Sequence, residues 1–221
     1  MKRKTLMSWS SGKDSAWALY QLQKDSNIEL AGLFCTVNKE FDRVAMHGVR
    51  VELLQKQADS IGLPLEVIEI PYPCSNEQYE KAMGLFIEIA KDNGVEQIAF
   101  GDLFLEDIRG YRVEKLQSSG IEPIFPIWGI PTELLSRKMV DSGLRTIITC
   151  VDPRKLSKNF AGKEYTHDLL NQLPDGVDPC GENGEFHSFV FDGPMFNSPI
   201  NIAVGEIVKR DEFVYADVMP V

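Results

Sequence analysis

The chain has 221 residues, of which 43% are hydrophobic and 10% aromatic. This length and composition predict an ordinary globular protein, either one large α/β domain or a main domain with a small second one. The 23 basic and 33 acidic residues give a net charge of −10, which argues against non-specific binding to nucleic acid or membrane surfaces.

The sequence shows neither a targeting segment nor a metal-binding cysteine pattern. Serines interrupt the apolar run that would have to follow the basic N-terminus of a signal peptide. No stretch approaches the ~20 apolar residues that a membrane helix needs. The four cysteines are scattered without a Cys-x-x-Cys pair, so neither a zinc site nor a disulfide framework is expected. We therefore expect a soluble, reduced, cytoplasmic protein with no membrane partner.

Strand-like and helix-like segments alternate in the first part of the chain. A short apolar strand ends in a turn at Trp9, and a helix with buried positions begins near Asp14. The nearly continuous apolar run at 28–37 is typical of a strand buried on both faces. The following elements are predicted as helices at 49–61, 76–93 and 108–118, and strands at 65–70, 97–100 and 121–125. This alternation predicts an α/β fold with a doubly wound parallel sheet.

The pattern changes after Pro126. A helix at 132–142 and a strand at 145–151 are followed by a long polar stretch that becomes rich in glycine and proline. Short strands are predicted at 188–191, 201–208 and 213–218. We therefore predict a domain at 1–127 and a smaller C-terminal α+β domain at 128–221.

The segment from Ser10 to Ser15 (Ser-Ser-Gly-Lys-Asp-Ser) joins the first strand to the first helix. Ligands of open parallel sheets bind outside the carboxyl ends of the strands, which is where this loop is expected. Its small residues and the free N–H groups of a helix start suit a phosphate. Lys13 adds positive charge, and Asp14 suits either Mg²⁺ or a helix cap. Spacing alone also fits a well-capped tight turn, and the segment matches neither a Walker P-loop nor Gly-x-Gly-x-x-Gly.

This loop resembles the pyrophosphate loop, Ser-Gly-Gly-x-Asp-Ser, of the N-type ATP pyrophosphatases, with Ser11 where that family usually has glycine. The segments 101–114 and 180–194 are similar to later signatures of the diphthine–ammonia ligase branch, and Pro126-Ile127-Trp128-Gly129 also fits. The resemblance covers essentially the whole chain. It implies a fold of the adenine nucleotide alpha hydrolase-like type, with an ATP-binding domain at 1–127 and an acceptor-binding domain at 128–221.

The resemblance implies an ATP-dependent ligase that forms AMP and pyrophosphate. ATP and Mg²⁺ are the implied cofactors, and an acceptor carboxylate would be adenylated and then amidated by ammonia. The implied acceptor is diphthine on elongation factor 2, or another small molecule or protein if the source organism lacks diphthamide. A homodimer is a possible oligomeric state of the protein.

The resemblance also implies roles for individual residues. The implied catalytic residues are Lys13, Asp14 and Glu185, with Asp14 also as the Mg²⁺ ligand. The implied ATP-binding residues are Ser10, Ser11, Gly12, Lys13, Asp14, Ser15, Thr36, Gly101 and Asp102. The implied acceptor-binding residues are His47, Arg109, Arg112, Glu114, Glu182, Asn183, Glu185 and His187.

Several of these residues can also be explained by structural roles that involve no ligand. Thr36 would serve equally to cap a strand, and His47 to cap a helix at the surface. Arg109 and Arg112, three apart on one helix face, also fit a solvated salt-bridge face. The glycine-rich segment before His187 also fits a hairpin turn.

The sequence alone leaves two other functions open. A non-catalytic adenine-nucleotide sensor would bind ATP or AMP without releasing pyrophosphate. A tRNA-modifying enzyme of the pyrophosphatase-loop type is the second alternative, but the acidic charge, the lack of a basic stripe and the lack of paired cysteines weigh against it.

Overall fold

The computed structural model describes residues 1–44 and 47–221. The elements of the first part are β1 (Arg3–Ser8), α1 (Lys13–Lys24), β2 (Ile28–Asn38), β3 (Arg43–Val44), α2 (Val51–Ile61), β4 (Leu65–Ile70), α3 (Asn76–Asp92), β5 (Gln97–Ala99), α4 (Glu106–Leu116) and β6 (Glu122–Ile124). Those of the second part are α5 (Thr132–Asp141), β7 (Arg145–Val151), a 3-10 turn (Lys158–Phe160), α6 (His167–Asn171), β8 (Phe186–Asp192), β9 (Ile202–Arg210) and β10 (Phe213–Pro220).

The first sheet has five parallel strands in the order β4-β2-β1-β5-β6. The short strand β3 pairs antiparallel with the end of β2, where Val37 faces Val44. Because β2 and β5 lie on opposite sides of β1, the strand order reverses at β1. A crevice at the carboxyl ends of β1 and β5 is therefore the place where this topology binds ligands.

Both faces of the first sheet are covered by helices. On β2, Leu33 and Cys35 belong to a core that contains buried residues of α1 and α2. Phe34, which points to the opposite face, packs with residues of α3 and α4 such as Phe86 and Leu116. This burial on both faces explains the continuous apolar run of β2, and the predicted doubly wound α/β fold is confirmed.

The second sheet is antiparallel, in the order β8-β7-β10-β9, and it is formed by the C-terminal part of the chain. One of its faces packs on α6 and the polar segment before it. Phe189 and Val190 of β8 belong to the same apolar core as α1 and α2. The C-terminal α+β character is therefore confirmed, while the boundary at residue 127 stays a prediction.

Two short elements differ from the sequence-based expectation. The strand β3 has two residues and the helix α6 has five, so neither is long enough to show a hydrophobic period. The expected end of α2 at Gly62 is observed, because this glycine caps the helix with a φ of 78°. Among the described residues, no helix is long and apolar enough to cross a membrane.

Candidate active site

A cavity of about 470 Å³ lies at the carboxyl ends of β1, β2 and β5, and residues 180–188 close its far side. Its volume is in the range of ordinary ligand pockets. The predicted site residues that line it are Ser10, Lys13, Asp14, Ser15, Thr36, His47, Gly101, Asp102, Arg112, Glu182 and His187. The cavity therefore brings together residues from three separate sequence segments that carried the family resemblance.

Hydrogen bonds of its own hydroxyl groups hold the loop between β1 and α1 in shape. The Ser15 hydroxyl donates to the Gly12 carbonyl at 2.9 Å, and the hydroxyls of Ser10 and Ser15 are 3.1 Å apart. A Cβ atom at Gly12 would lie 2.9 Å from Cε1 of His47 and 3.2 Å from the Ser188 carbonyl. The loop thus needs glycine at position 12 because the C-terminal part of the chain packs directly against its backbone.

Ser11 adopts a backbone conformation that favours glycine, with a φ of 69°. Its carbonyl accepts hydrogen bonds from Gln57 Nε2 and the Val190 amide, each at 3.0 Å. Its hydroxyl is buried and has no hydrogen-bond partner among the described residues. Ser11 does not line the cavity, and its expected contact with ATP stays a prediction.

Gln57 of α2 ties the loop to its surroundings and is fully buried. Its Oε1 accepts from Trp9 Nε1 at 2.8 Å, and its Nε2 donates to the carbonyls of Ser11 at 3.0 Å and Val190 at 2.6 Å. Ser188 makes a second link, because its hydroxyl accepts from the Lys13 amide at 3.2 Å. Sequence reasoning missed both residues. The only available signal for Gln57 was a polar side chain at a core position of an amphipathic helix.

Lys13, which is buried, and Asp14, which is partly exposed to the cavity, form an ion pair at the start of α1, with 2.8 Å between Nζ and Oδ2. The ammonium group of Lys13 also donates to the Cys180 carbonyl and lies 5.3 Å from the centre of the Phe186 ring. Burial opposes the charge of Lys13, but Asp14, Cys180 and Asp178 together outweigh burial and raise the lysine pKa above its ordinary value. Burial raises the pKa of Asp14, although Lys13 pulls it down. The cavity therefore contains a charged ammonium group, as a phosphate-binding site requires.

Glu182 connects the C-terminal part of the chain to the loop after β5. Its Oε1 accepts from the Leu103 amide at 2.7 Å, and its own amide donates to Asp178 Oδ2 at 2.8 Å. Burial raises the pKa of Glu182 to about 7, and the charges of Asp14 and Asp102 contribute in the same direction. Three carboxylates thus share this part of the cavity.

The residues after β5 complete the opposite wall. A Cβ atom at Gly101 would lie 2.9 Å from both the Asp14 carbonyl carbon and the Ser15 amide nitrogen, so the strand end presses on the start of α1. Asp102 accepts from Arg112 Nε at 3.3 Å, and the Arg112 guanidinium lies 4.6 Å from the centre of the Phe100 ring. Arg112 is therefore held at the cavity wall by one carboxylate and one aromatic ring.

Two histidines lie side by side in the cavity, with 4.7 Å between the ring centres of His47 and His187. The Nδ1 atom of His47 is 3.1 Å from the Ser188 carbonyl oxygen. Burial lowers the pKa of His47 to about 4 and that of His187 to about 3, and the charge of Lys13 adds to both effects. Both rings are consequently neutral near pH 7.

Several predicted site residues lie outside the cavity. Arg109 stacks on Trp128 at 4.7 Å and lines a shallow cleft beside β6 together with Glu114. The pair Arg109 and Arg112 is thus divided between two surfaces.

Glu185 is also outside the cavity, because it is buried inside the turn that precedes β8. Its Oε1 accepts from the Asp178 amide at 3.0 Å and from Asn183 Nδ2 at 3.2 Å. Glu185 and Asn183 therefore help to hold this turn and do not line the cavity, while the catalytic role expected of Glu185 and the acceptor contact expected of both stay predictions.

Among the described residues, no group of three or more histidine, cysteine, aspartate or glutamate side chains is arranged to hold a metal ion. Mg²⁺ in nucleotide sites is usually bound by one or two carboxylates and by phosphate oxygens. Asp14 and Asp102, which both line the cavity, are donors of that kind. The donor set fits an ion that arrives with ATP better than one held by the protein alone.

Two family models together match most of the chain. The model described as the diphthamide synthase N-terminal domain matches residues 3–122, and the one described as the diphthamide synthase C-terminal domain matches residues 131–218. Each match corresponds to the part of the chain that forms one of the two sheets.

The chain is similar to proteins named diphthine–ammonia ligase. It is 27% identical to the protein of Danio rerio over 232 residues, which cover 95% of this chain and 90% of the relative. It is 27% identical to that of Homo sapiens over 233 residues, covering 95% and 86%. The relative from Schizosaccharomyces pombe is 26% identical over 220 residues, only 36% of its own length. The expected enzyme class, an ATP-dependent ligase, is confirmed by these relatives. The chain belongs to the diphthamide synthase family.

Proposed function

We propose that this protein adenylates an acceptor carboxylate with ATP, releasing pyrophosphate, and then converts the acyl-adenylate into an amide with ammonia. The observation that carries the proposal is the meeting of the loop 10–15, Asp102 and Glu182 around one cavity. A loop of this type binds phosphates, and the surrounding carboxylates and histidines leave room for a second substrate.

The phosphates of ATP are placed at the loop and the start of α1. There the free backbone N–H groups, the positive end of the helix dipole and Lys13 all favour negative charge. Lys13 is charged and buried, so it stabilises the charge that develops on the departing pyrophosphate. Mg²⁺ carried by ATP would be held by Asp14 and Asp102 and would neutralise part of the phosphate charge there.

The rest of the cavity is divided between the adenosine and the acceptor. Thr36 and Gly101 lie at the ends of β2 and β5, and we assign the adenosine to this edge. Arg112 offers a guanidinium for the acceptor carboxylate and lines the same cavity as Glu182. This placement puts the acceptor oxygen beside the α-phosphate, where attack releases pyrophosphate.

The acceptor is proposed from the relatives. Their name states that they act on diphthine and ammonia. We propose the same pair for this chain, with diphthine presented on elongation factor 2.

The direct test is to combine the protein with Mg²⁺–ATP, ¹⁵N-labelled ammonium and elongation factor 2 that carries diphthine. We expect AMP and pyrophosphate in equal amounts and ¹⁵N in the modified residue. Lys13→Met should lower the rate by about 10²–10³-fold, whereas Lys81→Met, an exposed lysine of α3, should not change it. ATP binding without AMP formation in the complete mixture would contradict the proposal and favour a nucleotide sensor.

A further inference from the structure

The two histidines of the cavity have no role in the first half of the proposed reaction. His47 belongs to the segment after β3, and His187 belongs to β8. The chain thus brings two imidazoles from distant segments to the same wall, with their ring centres 4.7 Å apart. They meet beside Gly12, where His47 Cε1 is so close that no Cβ atom would fit.

The hydrogen bond of His47 fixes which of its nitrogens can accept a proton. A carbonyl oxygen only accepts, so the Nδ1 atom 3.1 Å from the Ser188 carbonyl must carry the hydrogen. In the neutral ring the lone pair is then on Nε2. A base whose orientation is set by a second group in this way is the arrangement found in many catalytic sites.

The charges around the pair keep both rings neutral in the protein without ligand. Burial and the ammonium group of Lys13 disfavour protonation of both rings, and a charge on His47 also disfavours one on His187, whereas the Ser188 carbonyl favours the charged form of His47. Asp14 and Glu182 line the same cavity and act in the opposite sense. The phosphates of a bound nucleotide would add negative charge and raise the pKa of the rings towards the range in which a general base works.

We propose that His47 and His187 form the site that binds ammonium in the second half-reaction, with His47 Nε2 as the base that removes its proton. This inference rests on the proposed function. Ammonia is mostly protonated near neutral pH, and ammonium has no lone pair with which to attack a carbonyl. A ligase that uses free ammonia therefore needs an uncharged base beside the acyl-adenylate to take a proton from ammonium.

Ammonium gives one proton to His47 Nε2 and becomes ammonia. The ammonia lone pair forms the C–N bond at the acyl carbon, and the C–O bond to the adenylate breaks with its electron pair leaving on AMP. The second proton passes from nitrogen to the departing phosphate oxygen. His187, packed against His47, provides a second nitrogen that can accept an N–H of the incoming ammonium.

The test separates the two half-reactions in the full-length protein, using elongation factor 2 that carries diphthine. Exchange of labelled pyrophosphate into ATP, without ammonium, reports adenylation. Amide formation is then followed with ammonium and, separately, with hydroxylamine, which is neutral near pH 7 and needs no deprotonation before attack. The variant is His47→Asn, whose amide can still donate to the Ser188 carbonyl. The control is His167→Asn, which changes the exposed histidine of α6.

We expect His47→Asn to keep the pyrophosphate exchange and the rate with hydroxylamine, and to lose about 10²–10⁴-fold with ammonium. His187→Asn should also lower the rate with ammonium more than the rate with hydroxylamine, but by a smaller factor. His167→Asn should match the wild type. An equal loss in exchange and in both amide reactions would overturn the inference and make His47 a support of the loop. An unchanged ratio of ammonium to hydroxylamine rates would overturn it as well. If the wild type shows no exchange, the proposed function itself fails, which this design distinguishes from the failure of His47 alone.

Discussion

At the scale of single residues, the cavity depends on places where two backbones touch. Gly12 lies against His47 and Ser188, and Gly101 lies against the backbone of Asp14 and Ser15. A side chain at either position would meet atoms that cannot rotate away, because most of them belong to backbone or to a packed ring. These glycines therefore set the shape of the loop as much as its polar residues do.

Gly101→Ala should weaken ATP binding by about tenfold or more, because the new Cβ atom must displace the start of α1 at a cost of about 1–3 kcal/mol. Gly84→Ala is the matched control, since nothing lies within 4 Å of its would-be Cβ atom in α3. Alanine favours a helix over glycine, so this control should be slightly more stable and bind ATP normally. Titration calorimetry on both variants checks the prediction, and equal affinities would contradict it.

The two half-buried histidines of the cavity should make the stability of the protein depend on pH. The pKa of His47 falls to about 4 and that of His187 to about 3 on folding, so in acid the unfolded chain binds more protons than the folded one. Their favourable contribution is complete above the unfolded pKa of about 6.5 and is lost as the pH falls towards the folded values. The free energy of unfolding should therefore decrease between about pH 7 and pH 5.

Denaturant unfolding of His187→Asn checks this dependence. The variant should lose less stability than the wild type over the same range, by on the order of 1 kcal/mol. Glu182 acts with the opposite sign, since burial raises its pKa to about 7, and the comparison with wild type removes its contribution. Identical pH dependences for the variant and the wild type would show that the rings are not buried as neutral groups.

At the scale of elements, α2 and β8 hold the loop in place. Gln57 accepts from Trp9 and donates to the carbonyls of Ser11 and Val190, so one side chain joins β1, the loop, α2 and β8. Each of these partners is buried, and a buried polar group without a hydrogen bond is costly. The loop is thus positioned by the C-terminal sheet as well as by its own sheet.

Gln57→Leu should lower the free energy of unfolding by about 2–4 kcal/mol, because it removes three buried hydrogen bonds and leaves the Trp9 Nε1–H group without its acceptor. It should also weaken ATP binding, because Ser11 loses a contact that fixes its left-handed conformation. Gln55→Leu changes an exposed glutamine of the same helix and should alter neither property. A Gln57→Leu protein with wild-type stability and affinity would show that the network does not shape the loop.

The regular elements could be predicted from the sequence, and the contacts between them could not. Strand β4 and strand β7 have the bounds that their hydrophobic patterns indicated, and the loop was identified from six consecutive residues. Gln57 and Ser188 were missed because their roles arise only when α2 and β8 meet the loop. The same limit applies to Arg109 and Glu185, whose types suited the expected chemistry but whose side chains pack elsewhere.

At the scale of the whole molecule, the two sheets share one apolar core. Ile147, Phe189 and Val190 of the second sheet belong to the cluster that contains Met7 and Leu33 of the first sheet. The cavity is likewise lined from both parts of the chain. We therefore propose that the parts at 1–127 and 128–221 depend on each other for folding, although each contains its own sheet.

Thermal unfolding should accordingly show one transition, and ATP should shift it as a whole, because a ligand stabilises every part of a cooperative unit. The fragment 1–127 should expose the apolar faces of α1 and α2 and bind a hydrophobic dye strongly. Calorimetry on the full chain and dye binding on the fragment check these expectations. Two separate transitions, with only one responding to ATP, would contradict them.

The proposed function depends on the loop 10–15, which we expect to bind the phosphates of ATP and to promote the release of pyrophosphate. The most direct measurement is titration calorimetry with Mg²⁺–ATP on the wild type, on Asp14→Asn and on Asp92→Asn, an exposed aspartate at the end of α3. We expect the wild type and Asp92→Asn to bind Mg²⁺–ATP, and Asp14→Asn to bind it about tenfold more weakly or worse. Absence of binding in the wild type, or equal affinity in all three proteins, would contradict it.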